Sequence, residues 1–467
     1  MILALPLVHR VRSRSGSRAA RSVLALALAM CAVACRSRGA SPTHPPRPPD
    51  TASPAARRAS PPAADAGGAS STAVALAEID ARIASLRRIV ARRNDDWLDL
   101  EFIAQAYINR ARLSADWDDY QHADETLQEA FRIAPPGAGP VLTRANFNYT
   151  MHRFQQVEPD LRAVEHWVLV NEGQRNAVAS LRADVAFHSG RYDEARRGYD
   201  ALLAVTRSVS MLVALAQLDW KTGDFDAADR LLDEAERMAA TGEAGTRAFV
   251  SLVRGLMNLD RGRWDVALAH YRQGLTFRPG YYLLEEHVAE VLALQGHADE
   301  ATTMYRDLVA RTHDPEFMDA LAELLAARGE RAEADRLLAE ARANYDRRLR
   351  IFPEAIAGHA LAHFLRHDPA RAVQIAEINR AARPGGEAQV LLAQAYLRVH
   401  RDADARTVID SVLSTAWNTA ELHATAAIVF DRQGPGARAE QERRRATAIN
   451  PHANEALDWL RAGTNGG

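Results

Sequence analysis

The sequence predicts an all-α fold, a solenoid of about ten stacked helix hairpins, and three observations carry that expectation. The first is composition: 47% of residues are hydrophobic but only 6% aromatic. Ala and Leu dominate the apolar set, which favours helix over strand. The second is a short pattern, Gly, any residue, an apolar residue, two further residues, then Ala. It closes one stretch of 3.6-residue periodicity and opens the next. The third is its beat. The closing alanines fall at Ala195, Ala228, Ala267, Ala301, Ala334, Ala372, Ala405 and Ala439, with spacings of 33, 39, 34, 33, 38, 33 and 34.

The pattern is clearest in Gly190-Arg191-Tyr192, Gly223-Asp224-Phe225, Gly262-Arg263-Trp264 and Gly296-His297-Ala298. Glycine suits a tight helix–helix turn, and the apolar residue after it can cap the following helix. Ala123 and Val157 extend the series upstream. Twelve residues after several alanines stands a proline that ends the second helix: Pro135, Pro279, Pro384 and Pro451. The alanine marks the crossing of the two helices of a pair, where a larger side chain would force the axes apart.

These residues resemble the tetratricopeptide repeat family, whose period is about 34 residues. The resemblance implies a right-handed superhelical solenoid over residues 94–455. The first hairpin is expected to have a long turn from Arg112 to Tyr120. The second lacks the glycine and carries Pro159 in its second helix. Residues 73–93, with Leu76, Ile79, Ile83, Leu86 and Val90 on one face, read as a capping helix. Residues 456–467 read as the end of a last helix and a tail.

The amino terminus reads as an address. Arg10, Arg12, Arg14, Arg18 and Arg21 precede an apolar run from Val23 to Ala34. That run is shorter than the roughly 20 residues of a membrane span, so residues 1–34 read as a signal peptide. Ala32-Val33-Ala34-Cys35 resembles a bacterial lipobox, which implies lipid modification at Cys35. Arg36 follows it, and an outer-membrane destination facing the periplasm is expected. Ordinary cleavage near Ala34, giving a freely secreted repeat protein, is the alternative. Residues 35–72 are rich in Pro, Ala and Ser, without a large apolar side chain, and read as a disordered tether.

In this family the first helices of successive pairs line a concave, peptide-binding face. The register assigns to that groove Asp184, Phe187, Gln217, Trp220, Leu252, Leu256, Leu259, Glu286, Glu290, Glu316, Asp319, Glu323, Leu361, Phe364 and Leu365. Relatives that clamp a peptide carboxylate use lysines and asparagines. The matching positions here hold Ser180, Val213, Leu252, Glu286 and Asp319, then Asp184, Gln217, Leu256, Glu290 and Glu323. A carboxylate clamp is therefore not expected. The acidic stretch would suit a basic peptide, unless it is an ordinary solvated face.

Basic and acidic residues number 58 and 60, so no basic excess points to nucleic acid. Cys31 and Cys35 are the only cysteines, which removes thiolate chemistry from the body. His359, His363 and His367 share a helix face and could bind a metal, or simply fill packing and turn positions. His287 with Glu286 and Glu290 is a second local cluster, read as groove lining or surface. No phosphate loop, metalloprotease motif or nucleophile elbow is present. No cofactor is expected. The expected function is a non-enzymatic scaffold that binds a protein or peptide, with a metal- or ligand-binding sensor as the alternative.

Overall fold

The computed structural model describes residues 70–92, 96–167, 169–434 and 436–461. The signal peptide, Cys35 and most of the tether lie outside the described residues. Every regular element among the described residues is helical. Helix α1 (Ser71–Val90) leads into ten hairpins. They are α2 (Trp97–Ser114) with α3 (Asp118–Ile133), α4 (Val141–Thr150) with α5 (Phe154–Glu165), α6 (Glu172–His188) with α7 (Tyr192–Val205), and α8 (Val209–Lys221) with α9 (Phe225–Ala239). Next come α10 (Ala244–Asp260) with α11 (Trp264–Phe277), α12 (Tyr282–Leu294) with α13 (Ala298–Thr312), and α14 (Pro315–Ala327) with α15 (Arg331–Ile351). The last are α16 (Pro353–His367) with α17 (Pro369–Ala382), α18 (Gly386–Arg398) with α19 (Asp402–Leu413), and α20 (Ala420–Arg432) with α21 (Ala437–Ile449), followed by short α22 (Ala453–Ala456) and α23 (Asp458–Arg461). No helix of the described residues is long and apolar enough to cross a membrane.

Each helix packs chiefly on the one before and the one after it, the ordered stacking of a solenoid. The eight alanines of the beat are all buried, Ala267 and five others completely. The two long spacings have local causes. Helix α15 runs 21 residues, and α10 runs 17 after a loop over 240–243. The second helices stop two residues short of Pro135, Pro279, Pro384 and Pro451. The first hairpin departs from expectation: its turn is Ala115 to Trp117, tightened by a left-handed Ala115 at φ 62°.

The first helices from α8 onward are enclosed on almost every side. From Ser210 to Lys221, every residue of α8 is buried. A helix apolar all round is one that water does not reach. The enclosure follows from how tightly the solenoid winds, because hairpins roughly 200 residues apart touch. The Gly385 N–H donates to the His188 carbonyl at 3.0 Å, and the Gly386 N–H to the Tyr192 hydroxyl at 2.8 Å. The Asn418 N–H donates to the Lys221 carbonyl at 2.9 Å, and Asn450 Nδ2 to the Asp260 carbonyl at 3.0 Å. Thr72 Oγ1 donates to the Pro279 carbonyl at 2.9 Å, and Arg347 pairs with Asp118 at 2.7 Å. The turns of the first five hairpins thus rest on the loops that join hairpins about half a dozen places later.

Aromatic side chains fill this seam. Trp117 meets Phe352, Tyr192 stacks on Trp417 at 5.8 Å, and Trp264 stacks on His452 at 4.2 Å. Two loop glycines are needed there twice over. Gly223 and Gly262 have φ of 91° and 68°, and an added Cβ would sit 2.3 Å from Asn418 and 2.5 Å from Asn450. Gly296 and Gly329 share the left-handed backbone, but nothing lies within 4 Å of their Cβ positions. Those two turns belong to the uncovered upper rim.

Candidate functional site

The polar residues of the inner helices pair chiefly with one another. On α14, Glu316, Asp319 and Glu323 recur at three- and four-residue steps and share a face. On α16, His359, His363 and Arg366 do the same, and the two faces meet. His359 Nδ1 contacts Glu316, and Arg366 contacts Glu323. His363 Nδ1 lies 2.9 Å from Asp319 Oδ1. Tyr345 donates to Asp319 Oδ2 at 3.2 Å. Burial raises the Asp319 carboxyl above its usual range, and His363 works against that shift. His367 stands at the end of the ladder. Burial and the neighbouring His363 push its ionisation down to about 4.

The acidic stripe and the histidine stripe are therefore two sides of one internal ladder. The suggestion of an acidic groove for a basic peptide is corrected, since side chains of the chain's own α15 and α16 meet these carboxylates. Of the two readings of the three histidines, the packing one describes their surroundings. His359 and His363 each turn Nδ1 to a carboxylate on α14, and the His367 ring lies 4.9 Å from that of His363.

The remaining groove assignments also move inside. Leu252, Leu256, Leu259, Leu361, Phe364 and Leu365 are fully buried core residues. Asp184 accepts the Tyr199 hydroxyl at 2.7 Å. Phe187 packs on Trp417 in the seam, where Gln217 and Trp220 are also buried. The register named the inward-facing positions, but the tight winding leaves no open concave face along them.

The seam holds two water-sized cavities that share Lys221, Glu387 and Trp417. Lys221 is the chain's single lysine. Its Nζ lies 2.6 Å from Asp260 Oδ2 and 4.2 Å from the centre of the Trp220 ring. Both partners of this ion pair are buried. Burial raises the Asp260 carboxyl even against Lys221. Glu421, which accepts from Gln394 Nε2 at 2.9 Å, is pushed by burial up to about 7. His188, enclosed beside Arg383, is pushed down to about 3.

Residues 104–136 match the tetratricopeptide repeat family model. That span is most of the α2–α3 hairpin, the one whose turn departs furthest from the central motif. Similar solved structures include MamA, at 18% identity over 36% of this chain and 96% of that one, with a TM-score of 0.30. The Cut9–Hcn1 hetero-tetramer of the APC/C is 14% identical over 84% and 95%, at 0.31. A tetratricopeptide repeat protein from Parabacteroides merdae ATCC 43184 is 17% identical over 55% and 100%, at 0.33. No curated protein matches the chain.

A second cluster sits one hairpin before the ladder. Glu286, His287 and Glu290 of α12 are all buried, and one ligand atom from each lies within 4.8 Å of the others. His287 Nδ1 is 3.0 Å from an oxygen of each glutamate. Tyr305 donates to the other oxygen of Glu286 at 3.1 Å. Burial drives the Glu286 carboxyl well above its usual range, and Glu290 adds to that shift. The sequence placed these residues in the groove or on the surface. Nothing in the local pattern signals that α11 and α13 close over them.

Proposed function

We propose that this chain is a non-enzymatic protein-interaction scaffold, held at the bacterial envelope by a lipid on Cys35, whose partner docks on the lower rim of hairpins two to four. The rim is the run of second-helix ends and loops that no later turn covers. It exposes large apolar side chains at successive places: Leu169 at 86%, Val205 at 68% and Met238 at 41%. The loops one superhelical turn further on carry Phe352 and Trp417, and those are buried in the seam. That contrast supports the reading, because apolar rim left open where its counterpart is covered remains available to a partner. Helical-repeat arrays act in general by presenting such extended surfaces.

The test is crosslinking in intact envelopes with Leu169→Glu/Val205→Glu beside the parent. The parent is expected to capture a discrete protein that the double variant loses. No captured protein, or equal capture by both, refutes the reading. The anchor has its own readout. A lipoprotein amine is acylated, and Lys221 is buried, so an amine-reactive dye should label the native mature chain nowhere and the unfolded chain only at Lys221. Native labelling at a free amino terminus near Ala34, unchanged in Cys35→Ser, would overturn lipidation.

A further inference from the structure

Three hairpins share a device that a fourth lacks. Tyr199, Tyr305 and Tyr345 on second helices each donate to an acid on the first helix of the same pair, namely Asp184, Glu286 and Asp319. Tyr271 of α11 occupies the same phase as Tyr199 and Tyr305, four residues after its alanine. Its own first helix offers only Leu252, Gly255 and Leu256. Gly255 leaves the slot in which the ring lies, and a Cβ there would sit 2.2 Å from Tyr271 Cε1. The ring therefore crosses to the next pair and lies flat on His287, with centroids 5.0 Å apart and planes at 17°. Tyr271 is completely buried, and its hydroxyl has no hydrogen-bond partner. After burial itself, the groups acting most strongly on that hydroxyl are the carboxylates of Glu290 and Glu286.

The cluster beside the Tyr271 ring is incomplete in the same sense. Glu290 Oε1 and Glu286 Oε2 are buried without a hydrogen-bond partner. One imidazole N–H cannot serve two carboxylates at once. Two buried carboxylates beside one imidazole need a proton or a cation to balance their charge. We propose that Glu286, His287 and Glu290 form an internal binding site for a divalent transition-metal cation of the zinc class. The donor set of two carboxylate oxygens and one imidazole nitrogen suits such an ion. Donors about 2.0–2.2 Å from one zinc stand roughly 3.3–3.6 Å apart. The 3.0 Å spacings to His287 need only sub-ångström adjustment to reach that. The ion neutralises both carboxylates with the imidazole uncharged. Because the site is enclosed, the ion enters as the chain folds.

The experiment measures zinc by mass spectrometry in the full-length chain purified from zinc-supplemented culture, beside Glu290→Gln and Glu286→Gln. One zinc per chain is expected. Glu290→Gln and Glu286→Gln should each lose it. Refolding the parent with excess chelator should lower its melting temperature, and Glu290→Gln should not respond. A folded parent that holds no zinc, or one indifferent to the chelator, overturns the proposal, and the shared N–H must then be balanced by a proton. Zinc that survives in both variants also overturns it, because the ion is then bound elsewhere.

Discussion

Replacing Lys221 by methionine should be the most damaging single change at the seam, and the structure sets its size. The Lys221 ammonium is 2.6 Å from Asp260 Oδ2, and neither side chain reaches much solvent. Removing one member of a buried pair strands the other charge, at a cost of about 3–5 kcal/mol. Loss of the ammonium over the Trp220 ring, 4.2 Å away, adds up to about 2 kcal/mol in so dry a site. Asp260 can escape by taking up a proton, and burial already favours that. The loss should therefore be largest at pH 8 and shrink by pH 5. Lys221→Met with Asp260→Leu removes both charges and keeps the volume, and should recover most of the loss. Urea unfolding of the parent, the two single variants and the double variant closes a thermodynamic cycle, with a coupling of about 2 kcal/mol or more expected between these contacting residues. A single-variant cost below about 1 kcal/mol, or a double variant no better than Lys221→Met, would refute the reasoning.

Three further outcomes follow from the packing and the buried acids. Ala267→Leu puts three extra carbons into a helix crossing with no exposed surface, and should destabilise by about 1–3 kcal/mol in the same urea assay. Gly255→Ala drives a Cβ into the Tyr271 ring and should cost a similar amount, with a change in the near-ultraviolet tyrosine signal. Glu421 has a folded-state value of about 7 against an ordinary 4.5, so the folded chain holds the extra proton between those values. Its contribution is intact below about 4.5 and is lost as pH rises towards 7, by at most about 3 kcal/mol. Glu421→Gln, measured against the parent at pH 5 and pH 8, should remove that share of the slope; identical slopes would count against the assignment.

The hairpins were legible in the sequence because their cause is local. A glycine that turns left-handed, an alanine where axes cross and a proline that stops a helix all act within a few residues. The acidic and histidine stripes were legible only singly. Periodicity shows that Glu316, Asp319 and Glu323 share a face, and that His359, His363 and Arg366 share another. It does not show that the faces meet. The clue was the near-constant offset of 43 or 44 residues between Glu316 and His359, Asp319 and His363, and Glu323 and Arg366. A helix rarely carries buried acids without answering cations nearby.

The pitch of the superhelix is the quantity that the repeat pattern withheld, and it decides whether a groove exists. The residue after each loop glycine was read as a cap on its own second helix. In hairpins one, three, four and five the residue at or just before that helix start is Trp117, Tyr192, Phe225 or Trp264; in hairpins six to ten it is Ala298, Arg331, Pro369, Asp402 or Ala437. A capping role would call for bulk in every repeat. Bulk confined to the early turns is what a surface needs when another turn lands on it. The glycines divide the same way, crowded at Gly223 and Gly262 and open at Gly296 and Gly329. A repeat array that winds until its own turns touch satisfies its inner helices itself. Under the proposed function, recognition then falls to the rims, where Leu169, Val205 and Met238 remain in water.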